Sequence, residues 1–296
     1  MKWQGRRQSG NVTDMRGSGG RMGGGMAAGG LGCGGIALLL IISLFTGVNP
    51  LDMMGGGGGG AVIPYEQNST QRMEMSEEAG QDDELKAFSS TVFADLEDVW
   101  GQIFADNNLQ YNYPQLILYQ GVVNTACGQG SSNVGPFYCG GDHGVYIDPN
   151  FYNQLHTQYG APGDFAYAYV IAHEVGHHVQ NELGILEQVQ GFKGRVSEKR
   201  YNEYSVRLEL QADYFAGVFA NHIKGKGYLE AGDIEEAQGA ASAVGDDVLQ
   251  ERMTGRVMPD NFTHGTAEQR QRWFMKGYES GSLKGGDTFN IPYEEL

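Results

Sequence analysis

Residues 164–183 read DFAYAYVIAHEVGHHVQNEL, and Gly184 follows. A proline-free run that opens on an acid and stops at glycine predicts one helix, with Asp164 as its N-cap. Inside it stands His173-Glu174-Val175-Gly176-His177. Residues four apart lie one turn above each other on the same face, so both imidazoles reach a single ion. Zinc takes nitrogen ligands at about 2.0–2.1 Å. Glu174, beside the first ligand, is placed to act as general base toward a water polarised by that ion. The flanking Ala166, Val170, Ile171, Ala172 and Val175 are apolar, and polar imidazoles in apolar surroundings need partners.

A catalytic zinc takes three protein ligands and keeps one position for water. The third is sought on a second predicted helix, Ser197–Lys224, capped by Ser197 and ended by the glycines at 225 and 227. There Glu209 and Asp213 are again four apart, among Leu208, Leu210, Ala212, Phe215, Ala216 and Val218. Carboxylates on such a face are rare unless paired or metal-bound. The economical assignment puts Glu209 on the metal, one Zn2+ per chain, and uses Asp213 to hold a ligand imidazole by its other N–H. Glu203 is the alternative ligand, in a more polar setting. Farther on, Thr266-Ala-Glu-Gln269 forms a capping box that opens a helix to about Tyr278. His264 stands just before it, either aimed at the neighbouring site or closing the turn. Arg270 pairs with an acid, Asp213 or Glu209. His143, His156, His178 and His222 read as structural; His178 points about 140° away from His173 on the helix wheel.

Apolar residues at 85, 88, 92, 93, 96, 99, 100, 103 and 104 give Asp82–Asn107 helical periodicity. Gln115–Val123 reads as a strand. Gly144-Val145-Tyr146-Ile147-Asp148 reads as a second, stopped by Pro149, and as the edge on which an extended peptide docks by strand addition. Phe151–Tyr159 and Asp233–Glu251 read as helices. The fold class is therefore α+β, dominated by helix, with the few strands ahead of the helices. Cys127 and Cys139 bracket CGQGSSNVGPFYC and read as a disulfide that closes a short loop in an extracytoplasmic body.

The chain of 296 residues carries 20 basic and 36 acidic side chains, a net charge of −16. Residues 1–50 hold five basic residues against Asp14, which is +4, so the remainder is −20. That balance argues against a nucleic-acid partner, because phosphate contacts need clustered Lys and Arg. Leu31–Val48, LGCGGIALLLIISLFTGV, lies in a window free of charge and is long enough to span a bilayer. The positive-inside rule then predicts a single-pass inner-membrane protein with a cytoplasmic N-terminus and an extracytoplasmic body. The expected units are a Gly/Arg-rich tail at 1–30, a transmembrane anchor at 31–48, a flexible linker at 49–80 and a catalytic domain at 81–296.

HEVGHHVQ, ELQADYFAG and HGTAEQRQRWF, with CGQGSSNVGPFYC and GVYID upstream, resemble the bacterial "putative neutral zinc metallopeptidase" family, and the Gly-rich anchored layout is similar too. The resemblance implies a zincin-like domain with the gluzincin order: two His on one helix, Glu on the next, Asp four later. It implies peptide-bond hydrolysis and lets His264 donate to the developing oxyanion. Two rival readings stand beside this metalloendopeptidase. One is a non-enzymatic adaptor stabilised by zinc. The other is a zinc amidase acting on cell-wall peptides.

Overall fold

In a computed structural model of the chain, residues 1–16 and 69–296 are described, the side chains of 69–79 and 81 excepted. The expected anchor at 31–48, Cys33, and most of the expected linker lie outside them. Among the described residues no helix is long and apolar enough to cross a membrane.

The strands are short. They are β1 (Val12–Asp14), β2 (Gln115–Leu118), β3 (Val122–Thr125), β4 (Gly128–Ser131), β5 (Phe137–Cys139) and β6 (Gly144–Ile147). Helix α1 (Ser69–Asp106) lies between β1 and β2. After the strands come α2 (Phe151–Thr157), α3 (Asp164–Glu182), α4 (Ile185–Gln190), α5 (Glu198–Gly225), α6 (Asp233–Ala243), α7 (Asp246–Thr254) and α8 (Ala267–Ser280). The class is helix-dominated α+β, as the periodicity predicts.

Four strands form one sheet in the order β1-β2-β6-β5, and β3 and β4 form a separate hairpin. β1, β2 and β6 are parallel, and β5 runs antiparallel to β6. Two expectations are corrected here. Gly144–Asp148 is not an edge: β6 is paired with β2 on one side and β5 on the other. Val145 and Ile147 are fully buried, and Asp148 accepts from Ser132 Oγ and Asn150 N instead of facing a ligand. Among the described residues, the free edge beyond β6 belongs to β5. Nor are residues 1–16 a tail apart from the body, because β1 is a strand of its sheet. The boundary expected at residue 80 also moves, since α1 already begins at Ser69.

Local chemistry sets several breaks that periodicity blurred. The predicted strand 115–123 is cut at Gly121, whose φ of 78° lies in the left-handed region. The predicted helix 233–251 is split because Gly245 lies against the start of α8; a Cβ there would come 2.4 Å from the Ala267 nitrogen. Asp164 is the first helical residue, and the cap position before it is Gly163. Ser197 caps α5, and the Thr266–Gln269 capping box opens α8 as read.

α3 runs through the core, its apolar residues buried along nearly the whole length. It packs against α1, α5, α6 and the sheet. Small residues control how near its neighbours come. A Cβ on Gly176 would sit 2.9 Å from the Ala212 carbonyl oxygen, so α3 and α5 meet at the glycine inside the His–Glu–x–x–His stretch. α5 and α8 cross in the same way: a Cβ on Gly217 would fall 2.0 Å from the Phe274 oxygen, and one on Gly277 1.9 Å from the Tyr214 oxygen. These crossings bring the ligand candidates of α3, the acids of α5 and Arg270 of α8 together.

Candidate metal centre

His173 and His177 project from one face of α3, their ring centroids 4.8 Å apart and nearly perpendicular. Facing them from α5 is Glu209. Its Oε2 lies 3.1 Å from His173 Nε2, and its Oε1 lies 3.5 Å from His177 Nε2. Tetrahedral ligands about 2.1 Å from an ion sit about 3.4 Å apart, so these separations suit one shared cation. Glu203 is not part of the group: it pairs with Arg200 at 2.5 Å near the start of α5.

The orientation of each imidazole is fixed from behind. His173 Nδ1 donates to Asp213 Oδ1 at 2.8 Å. His177 Nδ1 donates to Gln180 Oε1 at 2.9 Å, and Gln180 Nε2 in turn donates to the Leu208 carbonyl at 2.7 Å. With both Nδ1 hydrogens so engaged, both Nε2 atoms face Glu209, and a metal that displaces the proton there meets the lone pairs that ligating histidines present. Two His and one Glu are a zinc donor set that leaves a position open, so the residues present fit the ion the sequence implies.

Asp213 is the hub behind the site, with no solvent exposure. Beyond His173 it accepts from Tyr169 Oη at 2.5 Å, Arg270 Nε at 2.8 Å and Arg270 Nη2 at 3.0 Å. Burial opposes its ionisation, but Arg270 and His173 outweigh that and hold its pKa below the usual range. Arg270 thus orients Asp213, not Glu209. Burial likewise opposes charge on His173, yet Asp213 and Glu209 lift its pKa to about 10. Glu209 is held well below the carboxylate range, because His177, His264 and His173 overcome the burial cost. The whole cluster favours positive charge between the imidazoles and the carboxylate.

Glu174 follows His173 and is 8% exposed. Among the described residues no hydrogen bond ties its carboxylate. Burial raises its pKa, offset only in part by His173 and His177. His264 is held by Asp246, the first residue of α7, through Nδ1 at 3.1 Å. The other Asp246 oxygen accepts from the backbone N–H groups of Thr263, His264 and Gly265 at 2.7, 2.6 and 3.0 Å. Asp246, not the His264 ring, therefore closes the turn. Burial disfavours His264 protonation, but Asp246 and Glu209 outweigh it and raise its pKa.

Three supporting residues escaped the sequence reading. Tyr169 and Gln180 were findable, since they lie four residues before His173 and three after His177 on the same helical face. Asp246 carries no such signal, because its tie to His264 spans 18 positions and two elements. Among the described residues two other groups also bring ligand atoms together, but their atoms are engaged elsewhere. In the group of His143, His178 and Glu182, both His178 nitrogens are taken, by Tyr138 Oη and by the Asn112 carbonyl. In the group of Asp164, Asp233 and Glu236, the first two receive the Met1 ammonium, and Glu236 accepts from Phe165 N.

The Cys127–Cys139 disulfide is present and ties β5 to the end of the β3–β4 hairpin. β5 runs beside α3, where Tyr138 Oη lies 2.9 Å from His178 Nδ1, one residue beyond the candidate ligand His177.

The chain is 46% identical over 291 residues to the uncharacterized protein YpfJ of Escherichia coli K12, covering 98% of this chain and 99% of the relative. It is 46% identical over 192 residues to the uncharacterized protein Rv2575 of Mycobacterium tuberculosis H37Rv, covering 61% of this chain and 64% of the relative. No solved structure matches. The model of the family described as "Putative neutral zinc metallopeptidase" matches residues 1–289, so the chain belongs to that family.

Proposed function

We propose that this protein is a zinc-dependent metalloendopeptidase with a zincin-like catalytic domain, associated with the membrane through residues 31–48 and acting on peptide or protein substrates. The observation that carries the reading is the convergence of His173 Nε2, His177 Nε2 and Glu209 on one point, with Glu174 adjacent. When bound there, zinc supplies Lewis-acid polarisation of the scissile carbonyl and the attacking water. Glu174 takes the proton from that water and passes it to the leaving amine. A carboxylate raised by burial suits that exchange near neutral pH. His264, favoured as the imidazolium by Asp246, donates a hydrogen bond to the carbonyl oxygen as it becomes anionic. The extended substrate adds to the free edge of β5 rather than to β6.

The test uses the full-length chain with zinc and a peptide library. Glu174→Gln is expected to keep wild-type zinc content and thermal stability while turnover falls by at least about 100-fold, the low end for a positioned general base. A Glu174→Gln chain that cleaves peptides as fast as wild type sinks the proposal. Absence of peptide cleavage by a zinc-loaded wild type, with cleavage of cell-wall peptide amides, redirects it to the amidase class.

A further inference from the structure

The orientation predicted from charge treats Lys2, Arg6, Arg7, Arg16 and Arg21 as free cations held on the cytoplasmic side. The first 16 residues are engaged differently. Arg6 pairs with Asp95 and lies 3.4 Å over the Tyr228 ring. Arg7 reaches Asp98 at 2.7 Å and the Ala94 carbonyl at 2.8 Å. Arg16 bonds Asp14 at 2.7 Å and lies 3.5 Å from Asp82. Ser9 and Asn11 both donate to Glu97 at 2.7 Å. Arg6 and Arg7 are thus paired with carboxylates of α1, and Arg16 with Asp14 of β1, with Asp82 of α1 farther off.

The backbone says the same. β1 pairs in parallel with β2, Val12 opposite Leu116 and Asp14 opposite Leu118. Leu116 N donates to the Asn11 carbonyl at 2.9 Å, and Met15 N donates to the Leu118 carbonyl at 2.7 Å. Leu116 and Leu118 are fully buried in this arrangement, and without β1 the sheet would present β2 as an open edge. Trp3 packs edge-on to Phe88 of α1 at 5.5 Å. Contacts of about 3 Å cannot reach across a hydrocarbon layer about 30 Å thick. Pairing with the β2 of another copy would not alter this, because copies inserted in one orientation present their bodies on one side.

We infer that residues 1–16 and 82–296 fold together in one compartment, so the apolar stretch 31–48 does not separate them as a single crossing. The inference is independent of the proposed peptidase chemistry. It rests on β1, the α1 carboxylates and Trp3, and it replaces the arrangement with a cytoplasmic N-terminus and an extracytoplasmic body.

The test is site-directed labelling of the full-length chain in a Cys33→Ser background. Gln8→Cys and, separately, Glu251→Cys place one thiol on each exposed segment. Spheroplasts are treated with a membrane-impermeant maleimide before and after permeabilisation. Both positions are expected to behave alike, labelled together in intact spheroplasts or together only after permeabilisation. If one is labelled in intact spheroplasts and the other only after permeabilisation, the inference is overturned. Should either variant be degraded, Gln4→Cys and Lys193→Cys, also exposed, give the same reading. Zinc content and peptidase activity do not enter the result, so failure here leaves the proposed function standing.

Discussion

Replacing Asp213 by Ala separates two duties that one carboxylate performs. Asp213 has no solvent exposure, and the Arg270 side chain is only 4% exposed. Its removal leaves a buried guanidinium without its counter-ion and His173 Nδ1–H without an acceptor. Breaking a buried ion pair from one side costs about 3–5 kcal/mol, a large share of the roughly 5–15 kcal/mol that holds a domain folded. Loss of the group behind a ligand histidine weakens metal binding by about 10–100-fold. The two effects come apart in a cycle with Arg270→Met. The double variant Asp213→Ala/Arg270→Met removes both charges and is expected to recover at least half of the lost stability. It is not expected to recover zinc affinity, since His173 Nδ1–H still lacks its partner. Urea unfolding of the metal-free chains measures the first quantity, and competition against a zinc indicator the second. Asp213→Ala costing under about 1 kcal/mol, or a double variant that binds zinc like wild type, would refute the assignment of Asp213 as the hub.

Glu209→Ala is expected to lose most of the one equivalent of zinc, as are His173→Ala and His177→Ala, while Glu203→Ala keeps it; metal analysis of dialysed protein decides this. The Cys127–Cys139 bridge closes a loop with a sequence separation of 12 and restrains the unfolded chain by about 3 kcal/mol in the entropic account. Because Cys139 lies on β5, Cys127→Ser/Cys139→Ser is expected to raise KM for peptides with zinc retained; unchanged kinetics would break the link between the bridge and the docking edge. His178 supplies an acid sensitivity: burial lowers its pKa to about 4 from the ordinary 6.5. Between those values the unfolded chain binds the extra proton, so this contribution is complete above pH 6.5 and is lost as pH falls toward 4. The loss amounts to at most about 3 kcal/mol. His178→Gln is expected to flatten that part of the pH dependence of urea unfolding, and an unaltered slope would contradict it.

The helices were legible because the apolar residues of α1 recur with the helical period, because the α3 segment runs without proline to a glycine stop, and because Ser197 and Thr266 mark starts by their hydrogen-bonding chemistry. The ligand pair on α3 followed from one helical turn, and so did the relation of Glu209 to Asp213 on α5. Such relations are local, since a helix fixes the direction of residues four apart whatever surrounds it. The strands were harder. β5 and β1 have three residues each, too few for alternation to stand out, and the partners of a strand are written nowhere in its own sequence.

The sequence by itself determined the candidate ligand set, the helix-dominated class and the cysteine pair. It also raised the acid rule for Arg270, leaving two partners open. Tertiary structure decided which acid that was, because the close crossing at Gly217 and Gly277 aims the α8 guanidinium at Asp213 and not at Glu209. It decided that Asp246 holds His264, and that β5 rather than β6 carries the free edge. It also placed the basic N-terminal residues Arg6 and Arg7 against the carboxylates of α1. Charge counted along a chain has no address. Arg6 and Arg7 acquire theirs only when the N-terminal segment packs beside α1, whereas Arg16 finds Asp14 two residues away.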